Sequence, residues 1–185
     1  MCVLAASGFL LNTTALPPRY GIVLIPPILF LIYGVLPKQR AWAIANYDAG
    51  FGTLLHTVRV PVELSLYYLF LYKQVPELMT FEGRNFDILA GLTAPIIYLL
   101  HIKNKLSRTS LIIWNVVSLL LVTFILINGA LSAELPFQQF AFDQPNVAMK
   151  YAPYVLLPGL IVPMVMYTHL IAIFKFGKTN FAARC

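Results

Sequence analysis

Three ionisable side chains stand in one strongly apolar stretch of the sequence, "LLHTVRVPVELSLYYLFLY". His56, Arg59 and Glu63 are separated by three and four residues. At about 100° per residue of an α-helix, this spacing places all three within an arc of about 60° on one face. Residues i and i+4 on such a face can form an ion pair, so the sequence predicts direct contact between Arg59 and Glu63. A desolvated carboxylate with one arginine partner can take up and release a proton.

The cost of burying these charges limits what the stretch can be. An unpaired charged side chain at the centre of a membrane costs about 2.5–3.5 kcal/mol on insertion scales. The three side chains must therefore be paired, face other helices or line water. Tyr67 extends the same face and completes the candidate binding or translocation site. Three interpretations remain open: an ion pair that fixes helix packing, a path for a solute, ion or proton, and a cofactor site.

The composition of the chain indicates that this stretch lies in a membrane protein. Of the 185 residues, 59% are hydrophobic and 11% are charged, and the mean hydropathy is +0.78. A soluble domain carries about 25% charged residues. The chain is therefore expected to be a single integral-membrane domain over residues 1–185. The net charge is +6, but the basic residues do not form a run in the sequence, so nucleic acid is not an expected partner.

Five apolar segments predict an all-α fold, a polytopic transmembrane helix bundle of about five spans. Helices are expected because a lipid-exposed backbone must satisfy its own hydrogen bonds, and the segments lack the alternation of a membrane barrel. A sixth span is expected if the first residues are the end of a truncated helix. The predicted spans are residues 21–36, 49–72, 87–102, 110–131 and 151–176.

The distribution of lysine and arginine predicts the orientation. Eight of the 13 basic residues follow the first, third and fifth spans, and positive charge marks the cytoplasmic side. The C-terminus is thus predicted to be cytoplasmic. Residues 1–20 are predicted to form an outer segment, and residues 73–86 and 132–150 to form outer loops. The eight are Lys38, Arg40, Lys103, Lys105, Arg108, Lys175, Lys178 and Arg184.

The two outer loops carry polar side chains that are expected to form an outer-face cap, either a lid or a docking surface. Asn85 is placed to cap the third span, and Asp87 to favour the positive end of that helix. Within the fourth span, Asn115 and Asn128 are interpreted as interhelical hydrogen bonders rather than ligands. The predicted cap consists of Glu82, Arg84, Asn85, Asp87, Gln138, Gln139, Asp143 and Asn146.

Recognisable catalytic and metal-binding motifs are missing from the sequence. There is no HExxH, GxSxG or Walker A pattern, and the two cysteines lie at opposite ends of the chain. An enzyme is therefore not expected, nor a metal or other cofactor. The alternative is a redox protein with a haem between His56 and His169, because imidazole is a common axial ligand.

Three segments, "RVPVEL", "MTFEGRNFDILAGLTAP" and "FQQFAFDQPN", resemble those of uncharacterised bacterial multi-pass membrane proteins. The resemblance covers the chain from about Phe9 onward. It implies a bacterial inner-membrane setting and no particular activity. The expected partners are the lipid bilayer and other membrane subunits or a second copy of the chain. The leading hypothesis is a small transporter- or channel-like bundle, and the alternatives are a non-catalytic assembly or sensory subunit and the haem protein.

Overall fold

A computed structural model describes residues 1–12, 15 and 17–182, with side chains as far as residue 177. These residues form eight α-helices and no strand, so the predicted all-α class is confirmed. Arg184 and the side chain of Lys178, both used for the predicted orientation, lie outside this description. The helices are α1 Cys2–Ala6, α2 Gly21–Val35, α3 Pro37–Asn46, α4 Ala49–Leu55, α5 Arg59–Leu71, α6 Asp87–Ile102, α7 Arg108–Leu131 and α8 Val162–Ala182.

Two of the described helices are long and apolar enough to cross a membrane, Arg108–Leu131 and Leu157–Gly177. A third span is possible by composition if α2 and α3 are taken together, although they are bent by 81° at their junction. Helix α6 is apolar but has only 16 residues. Two or three helices therefore have the properties of membrane spans, and the count of about five stays a prediction.

Helix α7 buries a face of mixed polar and apolar residues and has apolar residues on its outer face. Asn115 and Ser118 are buried between Leu111 and Val122 along a seam with alternating steps of four and three residues. A surface helix of a water-soluble protein presents polar side chains outward instead. An outer surface of this kind suits contact with lipid. The exposed side chains on α7 include Ile113, Val117, Leu120, Phe124 and Ile127.

The predicted helical segment over residues 49–72 is present, with one irregular turn in its first half. Helices α4 and α5 are joined by a 3-10 turn, His56–Val58. Pro61 explains this turn, because its missing N–H leaves the carbonyl of Thr57 without the usual i+4 partner. The irregular turn lies where the ionisable residues begin.

The start of α8 is also irregular. Residues Leu157–Ile161 form a π-helical stretch that contains Pro158 and leads directly into α8. α8 then packs along α7 and contacts α2, α3 and α4. The N-terminal residues pack against α2 and the segment before α8. Ala5 and Leu10 are part of the hydrophobic core with Val23 and Val155.

A close approach of α5 and α6 at Gly91 gives a first testable prediction. A Cβ atom at Gly91 would lie 3.0 Å from the Cβ of Arg59 and from the backbone nitrogen of Val60. Gly91→Ala is therefore expected to lower the free energy of unfolding by about 1–3 kcal/mol through overpacking. Gly177→Ala is the matched control, since no heavy atom of the described part of the chain lies within 4 Å of its added carbon. Unfolding in detergent measures both, and equal stabilities of the two variants would contradict the described packing.

Candidate functional site

Eight polar side chains are enclosed together in the bundle, and we name them the buried polar cluster. They come from α5, α6, α7, α8 and the segments that join them. Each exposes at most 4% of its surface. The members are His56, Arg59, Glu63, Asn85, Asp87, Asn115, Ser118 and His169.

Arg59 is the centre of this cluster. Its Nη1 donates to Oδ1 of Asp87 at 2.9 Å, and to the backbone carbonyl of Ser118 at 3.4 Å. Its Nη2 lies 2.8 Å from Nε2 of His169. One guanidinium thus connects α5 with α6, α7 and α8. Charge-assisted hydrogen bonds of this kind are stronger than those between neutral groups.

The partners of His169 assign its tautomer. A guanidinium only donates, so Nε2 of His169 accepts from Arg59. The proton is then on Nδ1, which donates to Oδ1 of Asn115 at 2.8 Å. The amide nitrogen of Asn115 donates to the carbonyl of Leu111 at 2.8 Å, which fixes the orientation of the amide. Asn115 therefore orients a neutral imidazole and is part of the cluster.

His56 lies flat against His169, with ring centroids 3.7 Å apart and planes 3° from parallel. Trp114 meets both rings edge-on, at 5.5 Å from His56 and 5.6 Å from His169. A haem held by both residues would have its iron between nitrogens that face each other. Two imidazoles in direct face-to-face contact leave no space for a porphyrin, so these residues do not fit a haem. Among the described residues, no three His, Cys, Asp or Glu side chains are placed to hold a metal ion.

Glu63 does not form an ion pair with Arg59, and the prediction of that pair was wrong. Oε2 of Glu63 accepts from Nδ2 of Asn85 at 2.6 Å, while the guanidinium is paired with Asp87. The i,i+4 rule describes neighbours on one helix surface. Here both residues face neighbouring segments, which supply a second carboxylate and an amide that the spacing along α5 could not show.

Asn85 has a larger role than the predicted cap. Its Oδ1 accepts from the backbone N–H of Asp87, the first residue of α6, at 3.0 Å. The adjacent Phe86 occupies the N-cap position itself. The amide nitrogen of Asn85 donates both to Glu63 and to the carbonyl of Met79, the latter at 3.0 Å. One asparagine therefore orients Glu63 and the start of α6 together.

A cavity of about 80 Å³ adjoins the cluster at the end of the bundle that carries residues 73–86 and 132–150. Glu63 and Asp87 contribute to its wall, so two cluster carboxylates face this space. Tyr20 and Asn146 are the other polar residues of the wall, and aliphatic side chains such as Leu66 make up most of the remainder.

A second space lies beside Thr168, a residue next to the cluster. Thr168 lines a cavity of about 200 Å³ together with Trp42 and Tyr47. Thr168 also lines an apolar groove of about 530 Å³ between α2 and α8. Its Oγ1 is 3.5 Å from Nε2 of His56, a long contact. Thr168 therefore stands between this space and the cluster, whose own eight residues do not line it.

The wall of the second space includes a tyrosine that stays protonated. Lys175 donates to the backbone carbonyl of Tyr47 at 2.6 Å. Burial, with a smaller contribution from the neighbouring Asp48, raises the pKa of Tyr47 well above its usual range. Tyr47 is therefore a neutral wall residue.

The predicted outer cap divides into three groups by burial. Asn85, Asp87 and Asn146 are buried, and the first two belong to the cluster. Gln138 is half-buried and donates to carbonyls of its own loop. The remaining cap residues, Glu82, Arg84, Gln139 and Asp143, are exposed.

The sequence prediction included Tyr67 in the site and left out Ser118, whereas the cluster contains Ser118 and not Tyr67. Tyr67 does not reach the cluster, and its ring stacks on Phe81 at 4.9 Å. Ser118 and Trp114 were not predicted as site residues. Ser118 lies three residues after Asn115 on the same face of α7, and this spacing was the available signal. For Trp114 the sequence held no such signal.

The fold and the cluster define a class: an all-helical protein that encloses charged side chains and presents apolar ones on its surface. Residues 19–176 match the family described as Domain of unknown function (DUF8737), and the chain belongs to this family. Neither a curated protein nor a solved structure matches the chain.

Proposed function

We propose that the protein is a small multi-pass carrier of the inner membrane, in which Glu63 is loaded by a proton. One observation carries this proposal: the buried polar cluster has Glu63 and Asp87 on the wall of one cavity, and its His56 lies beside Thr168, which lines a second space. Ionisable residues inside a membrane mark ion or proton paths by default. Because the cluster fills the middle of the bundle, a carrier that opens to each side in turn fits better than an open pore.

The membrane setting is supported by three features. The composition is strongly apolar, the exposed surface of α7 is aliphatic and aromatic, and two or three helices have the length of a span. The distribution of basic residues favours a cytoplasmic C-terminus. The cavity at Glu63 then faces outward, and the space at Thr168 faces the cytoplasm.

A carrier requires a group that can adopt two arrangements, and the side chain of Arg59 has this role in our proposal. In the described state it is paired with Asp87, and Glu63 is held only by Asn85. Glu63 lies one helical turn along α5, so a shift of the guanidinium gives it a second carboxylate partner. A proton on either carboxylate favours pairing of Arg59 with the other, and this couples loading to the arrangement of the cluster.

A change at the irregular start of α8 can reach both the cavity at Glu63 and the groove beside Thr168. Leu157, Pro158 and Val162 line the cavity near Glu63. Gly159 and Pro163 of the same stretch line the groove on the other face. π-Helical turns and prolines interrupt the regular hydrogen bonds of a helix and mark positions where transporter helices bend.

Two other interpretations make different predictions. The cluster connects four helices, so it can act only as a lock that fixes their packing. The chain can also be an assembly or sensory subunit that docks a partner. Neither role needs a carboxylate that exchanges protons, so a transport measurement separates both from the carrier.

Glu63→Gln is the test of the proposal. Glutamine keeps the size and the hydrogen-bond acceptor toward Asn85 but cannot carry the proton. In liposomes that contain a pH-sensitive dye, the wild-type protein is expected to dissipate an imposed pH gradient faster than protein-free liposomes. We expect Glu63→Gln to reduce this flux at least tenfold, while Glu82→Gln on the exposed loop leaves it unchanged.

Two results would overturn the carrier. One is a reconstituted wild-type protein with no proton flux above that of the lipid alone. The other is a folded Glu63→Gln protein with full flux. Folding is checked independently by helix content and by the unfolding temperature in detergent.

A further inference from the structure

The wall of the cavity next to Glu63 carries hydrogen-bond acceptors that lack a donor partner. Oδ1 of Asn146 is buried and has no partner among the described residues. The amide nitrogen of the same side chain is already used, because it donates to the carbonyl of Gly129 at 3.0 Å. Asn146 is 3% exposed. A buried acceptor without a partner is costly, so this side chain points to a ligand that donates.

The other polar groups of the wall are acceptors too. Glu63 and Asp87 each use one carboxylate oxygen toward Asn85 and Arg59, respectively. The hydroxyl of Tyr20 is engaged, since it donates to the carbonyl of Met149 at 3.2 Å. A ligand in this space therefore meets carboxylate and amide oxygens, and no free donor among the wall residues described.

The charges of the wall determine the charge of the ligand. Asp87 is compensated by Arg59 in a direct ion pair. Glu63 is held by the neutral amide of Asn85 alone. When Glu63 has no proton, the cavity thus has one negative charge without a direct counter-ion. Burial of such a charge is unfavourable unless a cation pairs with it.

The size and walls of the cavity limit the cation to a small organic one. Its volume of about 80 Å³ is roughly half of the about 150 Å³ cavity that holds benzene in an engineered protein. The wall residues Leu24, Leu66, Val122 and Ile125 are aliphatic and favour a ligand with an apolar part. A metal cation would leave these walls without a complementary surface.

We propose that this cavity binds a small primary alkylammonium ion, with Glu63 as its counter-ion and Asn146 as a second acceptor. The proposal rests on the proposed function in one respect, since it names the substrate that replaces the proton on Glu63. An ammonium group has three N–H donors, which match the two carboxylates and the amide oxygen of the wall. The ligand and the proton then compete for one carboxylate, as in a carrier that exchanges one for the other.

A smaller space adjoins the cavity. It shares Tyr20, Asn146 and Met149 with the cavity and continues to Glu134 and Lys150. Glu134 and Lys150 form an ion pair beside this space, and the side chain of Glu134 is 43% exposed.

Calorimetric titration of the purified full-length chain with ethylammonium in detergent tests the proposal. We expect saturable binding to the wild-type protein and a dissociation constant at least tenfold higher in Glu63→Gln. Ala130→Leu is the second variant, because it adds three carbon atoms inside the cavity and leaves every polar group in place. It is also expected to weaken binding at least tenfold, and Glu82→Gln is expected to bind as the wild type.

Tetramethylammonium is the control ligand, because it has the charge but no N–H donor. The proposal is overturned if ethylammonium does not bind, if both cations bind equally, or if Ala130→Leu binds as tightly as the wild type. Failure of the proposed function is seen separately. Ethylammonium binding without proton flux in liposomes refutes the carrier and leaves the site intact, whereas flux without binding does the reverse.

Discussion

Replacement of Arg59 by methionine is expected to lower the free energy of unfolding by about 3–5 kcal/mol. Methionine fills a similar volume but leaves Asp87 as a buried carboxylate without its cation. The side chains of Arg59 and Asp87 are 3% and 6% exposed, so water cannot replace the lost partner. His169 also loses the donor to its Nε2. Thermal unfolding in mild detergent, compared with the wild type, measures the effect.

The reciprocal change gives the second side of a double-mutant cycle. Asp87→Asn leaves Arg59 as a buried cation whose nearest remaining carboxylate is that of Glu63, one turn along α5. We expect a smaller loss for this single variant, because Glu63 can then pair with the guanidinium. The double variant Arg59→Met, Asp87→Asn removes both charges and is expected to be clearly more stable than the sum of the two losses predicts. The difference is the coupling energy of the pair.

Lys150→Met is the matched control for this cycle, because it also replaces the cation of an ion pair by methionine. The remaining partner, Glu134, has a side chain that is 43% exposed, so water can solvate it. A change of about 1 kcal/mol or less is expected, as for other ion pairs near a surface. Additive losses at Arg59 and Asp87, or losses no larger than that at Lys150, would show that the buried pair does not stabilise the bundle.

The regular helices of this fold could be predicted from the sequence. α6 was expected over residues 87–102 and α7 over 110–131, and the structure has Asp87–Ile102 and Arg108–Leu131. Both are continuous apolar runs with a local start signal, such as the N-cap of Ser107 before α7. Where local signals conflicted, the prediction was less complete. Pro61 inside an apolar run produced a 3-10 turn that hydrophobicity alone does not show.

The composition of the candidate site could be predicted only in part. The spacing of His56, Arg59 and Glu63 correctly indicated a buried polar group on one face. It could not identify the partners, because Asp87 and His169 are 28 and 110 residues from Arg59 along the chain. Contacts of that kind depend on how helices pack. The role of Asn85 as a cap depends on residues next to it in the chain, so the sequence could predict it. Its hydrogen bond to Glu63 depends on helix packing and could not be predicted.

The two stacked histidines are expected to respond very differently to the same substitution. His169→Phe leaves the Nη2 of Arg59 and the Oδ1 of Asn115 without partners. Each unsatisfied buried group costs about 1–3 kcal/mol, so the expected loss of stability is about 2–6 kcal/mol. His56→Phe removes only a long contact with Thr168 and a nitrogen, Nδ1, that has no partner among the described residues. This variant is expected to lie within about 1 kcal/mol of the wild type.

Trp114 is a built-in reporter for this comparison, because its ring contacts both imidazoles. The chain has two tryptophans, and Trp42 is 71% exposed, so a Trp42→Phe background leaves Trp114 as the single fluorophore. Unfolding in detergent is then followed by its emission in each histidine variant. Both substitutions keep an aromatic ring in the stack, so a difference between them reports the hydrogen bonds rather than the packing. Equal stabilities of the two variants would contradict the assigned network around His169.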